Sequence, residues 1–397
     1  MKILMLLEQH YPSDIRVEKE ARTLAKAGHE VLLLCPNLKD APADEMVGDL
    51  KVHRVPPPTG FLQTIWAYSR FALDHVHPYW RKQLDNAVRR ESPQALHIHD
   101  LPMVKTGLSV ARAYSIPIVA DLHENYPAAL QAWDIQFDLR RKVARLVGRW
   151  GQLQRYCLQN ADRVIAVVDE GKEHYVKVGG IPPEKVTVVM NTEDTSYFSS
   201  LPVNPEIVRK YQPSFVISYI GGLGYHRGIH TAISAMPQIL KQIPNARLLL
   251  VGTGPNEAEL KQLAKTCGVE QAVDFAGWQP FSLIPSYFAA SSICVIPHIA
   301  SDHTNTTIPH KLFQCMAIGK PVIVSSAKPL ERIVKETGAG LVYPSGDVTR
   351  LAEAVLTMYL EPSLAETCGR AGRKAAETKY DWKADGQRLV AMYGDLS

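Results

Sequence analysis

The sequence has few of the features that mark secreted, membrane-spanning or nucleic-acid-binding proteins. It has no Cys-x-x-Cys pair, and its 6 cysteines are spread through 397 residues. We therefore expect reduced thiols packed as small apolar side chains rather than disulfides. The 44 Lys and Arg residues nearly balance the 40 Asp and Glu residues, and this net charge of +4 is too small for a dedicated nucleic-acid binder. We expect a cytoplasmic protein, at most peripheral on the inner face of the cell membrane.

Long uninterrupted hydrophobic runs are also missing. The apolar run Ile3–Leu7 is too short for a signal peptide, and no small-residue cleavage site follows it. The most apolar later segment, Ser282–Ala300, contains Pro285 and Pro297. This segment predicts a buried helix followed by a strand rather than a transmembrane helix.

The residues that are present predict packed α/β domains. Hydrophobic residues make up 46% of the chain, and a length of 397 residues favours two domains. Lys2–Leu7 predicts a buried parallel strand, Asp14–Ala27 a helix that ends at Gly28, and His29–Cys35 a second strand. This strand–helix–strand unit is right-handed by default.

The same alternation continues to the end of the chain. Further strands are predicted at Ala95–His99, Pro117–Ala120, Arg163–Val168, Val186–Met190, Phe215–Ile220, Ala246–Val251, Val273–Ala276, Ile293–Ile296 and Pro321–Val324. Further helices are predicted at His230–Leu240, Glu257–Thr266, Pro309–Ile318, Arg350–Met358 and Asp381–Tyr393. The fold class is therefore α/β, with two doubly wound Rossmann-like domains at 1–195 and 196–378, joined by a polar connector at 191–200. We expect them to face each other across a cleft, with residues 379–397 packing back on the first domain.

A glycine-rich turn opens the second domain's first helix. Gly221, Gly222 and Gly224 follow a predicted strand, and Arg227 stands just before the helix. Glycine lets backbone N–H groups approach a phosphate, and an arginine can neutralise its charge. A tight turn with a surface arginine is the alternative interpretation.

A short polar helix is the second candidate site. Pro309 suits the first helical turn, and His310, Lys311 and Gln314 lie within one turn of one another. Beside a strand-end cleft, such side chains are typical of ligand contacts. By pattern alone, a solvated helix face fits equally well.

Histidines and carboxylates end two strands of the first domain. His97 and His99 share one strand face, Asp100 lies on the other, and no further ligand is expected nearby, so we expect no metal site. His123 and Glu124 end the next strand. A strand-end histidine satisfied by its surroundings is the alternative for His123.

Several motifs in one order resemble the GT-B glycosyltransferases of family 4. They are Arg16-Val-Glu-Lys-Glu-Ala with Ala27-Gly-His-Glu-Val, Val189-Met-Asn-Thr-Glu-Asp194 as an interdomain connector, Gly221-Gly with Arg227-Gly, Met316-Ala-x-Gly-x-Pro-Val, and Gly338–Pro344 as a late hairpin and loop. The resemblance implies that the C-terminal domain binds a nucleotide-sugar donor and that the N-terminal domain presents the acceptor. It also implies transfer with retention of anomeric configuration, usually without a metal or other cofactor.

The resemblance assigns roles on the donor side. Arg227 matches the basic residue that meets the donor diphosphate. Gly222 stands where many members have a second arginine. The backbone amides of Gly221 to Gly224 could offset the loss of that positive charge. Gln314 and Thr306 occupy the positions of two family glutamates. The second glutamate ordinarily accepts hydrogen bonds from the ribose, and a glutamine keeps one carbonyl acceptor without the charge. The remaining donor-side positions are Gly277 and Trp278 near the base, and Ile308, Pro309, His310 and Lys311.

On the acceptor side, the resemblance implies that His123 is a catalytic residue. A histidine there can hydrogen-bond the donor sugar or the attacking hydroxyl. On the donor side, the resemblance implies the same for Arg227. Arg16, Asp100 and Glu124 are the further acceptor-side positions. In the implied front-face displacement, Arg227 stabilises the leaving diphosphate, whose oxygen takes the acceptor's proton.

Two segments of the acceptor domain carry basic or aromatic side chains. Leu139–Trp150 is basic with interleaved apolar residues, and Phe61–Lys82 is rich in aromatic residues. Both patterns suit an anionic membrane surface or a lipid-linked acceptor, and an ordinary surface helix fits them equally well.

The expected function is a retaining, hexosyltransferase-type glycosyltransferase of polysaccharide or glycolipid biosynthesis. Its partners are a nucleotide-sugar and a glycan or lipid-linked acceptor, with no nucleic acid. A GT-B nucleotide-sugar epimerase is one alternative. A catalytically reduced GT-B protein acting as a scaffold is the other, because both glutamates are absent. A gain of donor affinity in Gln314→Glu is expected of an enzyme, and inactivity with every donor is expected of a scaffold.

Overall fold

The computed structural model describes residues 1–12, 15–57, 71, 73–133 and 147–396. Its internal contacts divide the chain into two compact units. Unit 1 comprises Met1–Pro127, Asp138–Met190 and Asp385–Ser397, and unit 2 comprises Ala128–Phe137 and Asn191–Ala384. The fold is α/β, with one mainly parallel sheet in each unit.

The sheet of unit 1 has eight strands. They are β1 (Lys2–Leu6), β2 (Glu30–Pro36), β3 (Asp44–Val47), β4 (Leu50–Val55), β5 (Ala95–His99), β6 (Ile118–Leu122), β7 (Arg163–Ala166) and β8 (Val186–Val188). The spatial order is β3-β4-β2-β1-β5-β6-β7-β8, and every pair is parallel except β3 with β4. The central strands are apolar runs buried on both faces, as parallel strands covered by helices must be.

The helices of unit 1 connect these strands. They are α1 (Ile15–Lys26), α2 (Pro78–Glu91), α3 (Leu101–Tyr114), α4 (Tyr126–Trp133), whose last residues belong to unit 2, α5 (Val147–Asn160) and α6 (Asp169–Gly179).

The sheet of unit 2 is parallel throughout. Its strands are β9 (Phe215–Ile220), β10 (Ala246–Val251), β11 (Val273–Gly277), β12 (Ile293–Ile296), β13 (Val322–Ser325) and β14 (Gly340–Tyr343). Their spatial order is β11-β10-β9-β12-β13-β14.

The helices of unit 2 cover both faces of this sheet. They are α7 (Thr195–Ser200), α8 (Pro205–Tyr211), α9 (Ile229–Gln242), α10 (Glu257–Thr266), α11 (Ile284–Ala290), α12 (His310–Ala317), α13 (Lys328–Thr337), α14 (Val348–Leu360) and α15 (Pro362–Thr378). The last helix, α16 (Trp382–Gly394), begins in unit 2 and continues in unit 1 from Asp385.

One sequence interpretation is wrong, and several elements were missed, the β3–β4 hairpin among them. Gly338–Pro344 is not a hairpin, because Gly338 ends α13 with φ 68° and β14 runs parallel to β13. A Cβ on Gly340 would lie 1.7 Å from the Val322 carbonyl oxygen, so glycine here permits the close approach of the two strands. The β3–β4 hairpin escaped prediction because β3 is a short edge strand without an apolar run.

The connector predicted to be polar is mostly buried. Thr192 and Glu193 are among its buried residues, and α7 begins within it behind the Asp194 N-cap, whose side chain accepts from the Tyr197 amide. Among the residues that the structure describes, no helix combines the length and apolarity needed to cross a bilayer.

Candidate active site

Polar side chains cluster where the strand order of each sheet reverses. The reversal lies between β1 and β5 in unit 1 and between β9 and β12 in unit 2. Ligands of doubly wound sheets bind at the carboxyl ends of the strands at such points. Unit 2 holds there a cationic cluster, and unit 1 holds a histidine–carboxylate cluster. The cationic cluster consists of His226, Arg227, His298, His303 and Lys311. The histidine–carboxylate cluster consists of Arg16, Glu20, His97, His99, Asp121 and His123.

The turn after β9 brings the backbone of Gly221 close to the side chain of Lys311. Gly221 has φ 138°, and a Cβ there would lie 2.6 Å from the Lys311 Nζ atom. A Cβ on the neighbouring Gly252 would lie 2.2 Å from the Gly221 carbonyl oxygen. Glycine at these positions therefore leaves room for Lys311 beside the end of β9.

Arg227 is the last residue of a one-turn 3₁₀ helix, Tyr225–Arg227. Gly228 follows with φ 69°, and a Cβ there would lie 1.8 Å from the Pro297 carbonyl oxygen. The His226 carbonyl also accepts a hydrogen bond from the Ile299 amide (3.0 Å). These contacts hold the turn against the end of β12, where Arg227 Nη1 lies 3.5 Å from His298 Nε2.

Lys311 reaches the same place from α12. Pro309 is the N-cap of this helix, as its missing N–H favours, and Lys311 is only 8% exposed. The Lys311 Nζ atom lies 3.6 Å from the centroid of the Tyr219 ring. It has no hydrogen-bond partner within the described parts of the chain.

Within the described ranges, no carboxylate forms an ion pair with a residue of the cationic cluster. Burial lowers the pKa of His226 to about 2 and that of His303 to about 4, and the charge of Arg227 acts in the same direction. Burial also lowers the pKa values of His298 and Lys311 well below their usual ranges, again assisted by Arg227. Neutral histidines around one fixed guanidinium form a site prepared for an anion.

Only part of the predicted amide cradle is available. The Gly221 amide donates to the Val251 carbonyl (2.8 Å) and the Leu223 amide to the Thr253 carbonyl (3.0 Å). The expectation that all amides from Gly221 to Gly224 meet a phosphate is therefore wrong for these two.

Gln314 has a buried carboxylate beside it that the sequence did not reveal. Its Nε2 atom donates to Glu193 Oε2 (3.0 Å), and Glu193 is 2% exposed. The Thr306 hydroxyl instead donates to backbone carbonyls of its own turn, at Asp302 (2.7 Å) and His303 (3.1 Å).

The other donor-side positions also belong to unit 2. Ile308 is buried, and its carbonyl accepts from the Asn191 side chain (2.8 Å). Gly277 ends β11 with φ 69°, and Trp278 beyond it is 70% exposed. His310 is the first residue of α12 and is half-buried.

In unit 1, one arginine bridges two fully buried carboxylates. Arg16 Nη2 lies 2.7 Å from Glu20 Oε1 and 3.1 Å from Asp121 Oδ1, and its Nη1 donates to the Val189 carbonyl (2.9 Å). Burial raises the pKa of Glu20 well above its usual value despite Arg16. Burial would also raise the pKa of Asp121, but the charges of Arg16 and His123 hold it well below its usual range.

Asp121 also organises the histidines. Its Oδ2 atom accepts from His123 Nε2 (2.9 Å) and His99 Nδ1 (3.0 Å). Burial opposes a charge on His123, yet Asp100 and Asp121 raise its pKa to about 10. Burial instead lowers the pKa of His99 to about 3. His123 is therefore an imidazolium at neutral pH, which donates hydrogen bonds and cannot act as a general base.

The other acceptor-side residues flank His123. Asp100 Oδ1 lies 3.6 Å from His123 Nδ1, and Asp100 itself has φ 64° and ψ 144°, a conformation that is strained for a residue with a side chain. Glu124 is half-buried, and its backbone carbonyl accepts from the Tyr175 hydroxyl (3.0 Å).

The expectation that no further ligands lie near His97 and His99 is wrong. Glu20 and Asp121 join them, and one ligand atom from each of the four lies within 4.8 Å of the others. Two imidazoles and two carboxylates could hold a metal ion. The guanidinium of Arg16 already pairs with both carboxylates, however, so the expectation of a metal-free site stays a prediction.

Sequence reasoning missed Glu20, Asp121 and Glu193. Glu20 lies one helical turn after Arg16, and Asp121 lies two residues before His123 on the same strand face. These spacings could have shown them. Glu193 had no such signal, because its partner Gln314 is distant in sequence.

Most of the basic segment 139–150 and half of the aromatic segment 61–82 lie outside the described residues. Contact with a membrane surface or a lipid-linked acceptor therefore stays a prediction.

Comparison with known proteins follows the division into two units. Residues 15–197 match the family model Glycosyltransferase Family 4, and residues 202–375 match Glycosyl transferases group 1. Similar curated proteins include glycogen synthase of Mycobacterium tuberculosis, which is 22% identical and matches over 99% of this chain and 94% of its own. Another is α-D-kanosaminyltransferase of Streptomyces kanamyceticus, which is 20% identical and matches over 93% of this chain and 95% of its own.

Solved structures show the same fold. Sucrose-phosphate synthase of Thermosynechococcus elongatus superposes with a TM-score of 0.81 at 19% identity, covering 100% of this chain and 99% of its own. Alr3699/HepE of Anabaena in complex with UDP-glucose superposes with a TM-score of 0.74 at 18% identity, covering 100% of both chains. These neighbours are GT-B glycosyltransferases, so the two units form a GT-B fold.

Proposed function

Since the chain belongs to the glycosyltransferases, as both of its halves match their family models, we propose that it transfers a sugar from a nucleotide-sugar to a hydroxyl acceptor with retention of anomeric configuration. We place the donor on unit 2 and the acceptor on unit 1. The product belongs to polysaccharide or glycolipid biosynthesis. The names of the relatives, glycogen synthase and α-D-kanosaminyltransferase, and the UDP-glucose held by Alr3699/HepE support this proposal.

The observation that carries the proposal is the cationic cluster of unit 2. It combines a fixed guanidinium on Arg227 with the buried Lys311 Nζ atom, which has no partner in the described residues. Burying an amine without a partner is unfavourable, and a diphosphate oxygen supplies the missing one. The cluster lies at the carboxyl ends of β9 and β12, where doubly wound sheets bind nucleotides.

In the proposed reaction, the bond between the anomeric carbon and the diphosphate oxygen breaks. The acceptor oxygen bonds to the same face of that carbon, and the acceptor's proton passes to the leaving diphosphate. Arg227 stabilises the charge that develops on the diphosphate. His123 contributes as a hydrogen-bond donor, since Asp121 and Asp100 keep it protonated. This reaction requires no metal ion or other cofactor.

The test is a panel of UDP-, GDP- and ADP-sugars incubated with the full chain, with and without glycan and lipid-linked acceptors. Release of nucleoside diphosphate is measured, and the anomeric configuration of the product is read by NMR. We expect release that depends on an acceptor, with the configuration retained. Conversion of the sugar without any acceptor would instead identify an epimerase. No release with any donor would identify a binding protein without catalysis.

A further inference from the structure

Lys311 has an unusual position for a lysine. Its Nζ atom is buried, packs 3.6 Å from the Tyr219 ring centroid, and has no hydrogen-bond partner among the described residues. The ring face offers only a weak attraction to an ammonium group. Lys320, a half-buried lysine of unit 2, shows the contrast, because its Nζ donates to the carbonyls of Ala289 (3.1 Å) and Ser291 (2.6 Å).

The surroundings of Lys311 oppose a positive charge from several directions. Arg227 faces it from the 3₁₀ turn together with His226, and His298 faces it from the end of β12. His303 lies against His226, with ring centroids 5.4 Å apart. Burial and Arg227 lower the pKa of Lys311, whereas the thiol of Cys315 on its own helix and the ring face of Tyr219 favour the charged form.

A bound diphosphate reverses this balance. It brings negative charge and strong acceptor oxygens next to the guanidinium of Arg227 and the Nζ atom of Lys311. An opposite charge within hydrogen-bond distance favours the charged form of an amine. A bound diphosphate therefore raises the pKa of Lys311 above its lowered value in the free protein, and the ammonium group becomes the partner of a phosphate oxygen.

We propose that binding of a nucleoside diphosphate is coupled to the uptake of one proton from solvent by Lys311. This inference rests on the proposed function, because the diphosphate of the donor is the ligand. The amine Nζ takes the proton and becomes an ammonium group that donates to a phosphate oxygen. No covalent bond to the nucleotide forms or breaks in this step.

Proton uptake has a definite effect on affinity. Between the pKa of Lys311 in the free protein and its higher pKa in the complex, the dissociation constant rises as pH rises. For one proton, the limiting slope is about tenfold per pH unit. Donor binding is therefore tightest on the acid side of this window.

The experiment is calorimetric titration of the full chain with UDP, GDP and ADP at several pH values from 7 to 9. Each titration is repeated in buffers of different ionisation enthalpy, so that the heat reports the number of protons taken up. This range lies above the last phosphate pKa of about 6, so the nucleotide itself contributes few protons. We expect uptake that approaches one proton per nucleotide within the range.

Two variants serve as matched controls, because each replaces one basic side chain of the cluster with a neutral amide. Lys311→Gln is expected to bind more weakly, with no proton uptake and a flat pH profile. Arg227→Gln is also expected to bind more weakly, but it keeps the uptake and shifts it to higher pH, because a positive neighbour of Lys311 is gone.

The outcomes separate this inference from the proposed function. Nucleotide binding without proton uptake in the unmodified chain, or with unchanged uptake in Lys311→Gln, would overturn the inference alone. Failure of every nucleoside diphosphate to bind would overturn the proposed function as well.

Discussion

The side chain of Gln314 is oriented by a buried carboxylate. Its Nε2 atom donates to Glu193 Oε2 at 3.0 Å, so its carbonyl oxygen is left to accept a hydrogen bond from a ligand. The Glu193 backbone is itself fixed, because its carbonyl accepts from the Trp382 amide (3.0 Å). The negative charge that the family places on α12 is thus supplied next to it by Glu193.

This contact changes the expected effect of Gln314→Glu. Instead of strengthening donor binding, the substitution places two buried carboxylates about 3 Å apart, where one must become protonated or the pair must separate. We predict that the dissociation constant for nucleoside diphosphate rises at least tenfold and that the melting temperature falls. The double variant Glu193→Gln/Gln314→Glu restores one carboxylate and one amide and should recover most of the affinity. Tighter binding by Gln314→Glu alone would contradict this account.

The charge of His123 depends on Asp121. The Asp121 carboxylate accepts from His123 Nε2 at 2.9 Å, and together with Asp100 it raises the pKa of His123 to about 10. The stabilisation linked to this shift is complete below the unfolded-state pKa of about 6.5 and is lost as pH rises towards 10.

We predict that Asp121→Asn lowers the pKa of His123 by more than one unit, because a neutral amide replaces the charged acceptor. Histidine NMR titration measures this directly, and the alkaline limit of transfer activity should move down with it. Asp44→Asn is the control, since Asp44 is an exposed carboxylate that contacts His53 (2.8 Å). A wild-type His123 that titrates near 6.5 would refute the assignment, whatever the variant does to stability.

Among the elements, the turn between β9 and α9 has little room for a side chain at Gly228. Gly228 has φ 69°, and a Cβ on it would lie 1.8 Å from the Pro297 carbonyl oxygen. Any side chain there must push the turn away from Pro297 at the end of β12. Arg227 would move with it, away from His298 and the rest of the cationic cluster.

We predict that Gly228→Ala lowers the free energy of unfolding by more than about 2 kcal/mol and weakens nucleoside diphosphate binding. Gly268→Ala is the matched control, because Gly268 has φ 66° and nothing within 4 Å of its missing Cβ. An alanine there incurs only the cost of a left-handed backbone, about 1 kcal/mol. Chemical denaturation and calorimetry measure both effects. Equal losses in the two variants would show that the close approach to Pro297 is unimportant.

At the scale of the whole molecule, the features that the sequence predicted are those that depend on the local pattern of apolar residues. The strands of both sheets could be located because parallel strands buried on both faces are short apolar runs, and Ala95–His99, Phe215–Ile220 and Ala246–Val251 have the predicted bounds. The edge strand β3 carries Asp44 and Glu45 and has no such run.

The charge balance of the sites could not be predicted in this way, because it depends on tertiary contacts. Glu193 and Gln314 are 121 positions apart, and Arg16 and Asp121 are 105 apart. The sequence shows that Gln314 replaces a glutamate of the family. The fold places another glutamate, Glu193, next to it. Sequence reasoning also left open a solvated helix face for Lys311, whereas the fold buries this side chain, with no carboxylate paired to it in the part of the chain that the structure describes.

The central claim is that the cationic cluster of unit 2 holds the diphosphate of a nucleotide-sugar. The most direct test compares the affinities of the full chain for nucleoside diphosphate and monophosphate in the unmodified protein, in Arg227→Ala and in Arg350→Ala. Arg350 is a control on the surface, where it pairs with Glu353. Because a hydrogen bond to a charged group contributes about 1.5–3 kcal/mol, Arg227→Ala should weaken diphosphate binding roughly 10- to 100-fold. Monophosphate binding should change less, and Arg350→Ala should change neither. Diphosphate binding that survives unchanged in Arg227→Ala would contradict the account.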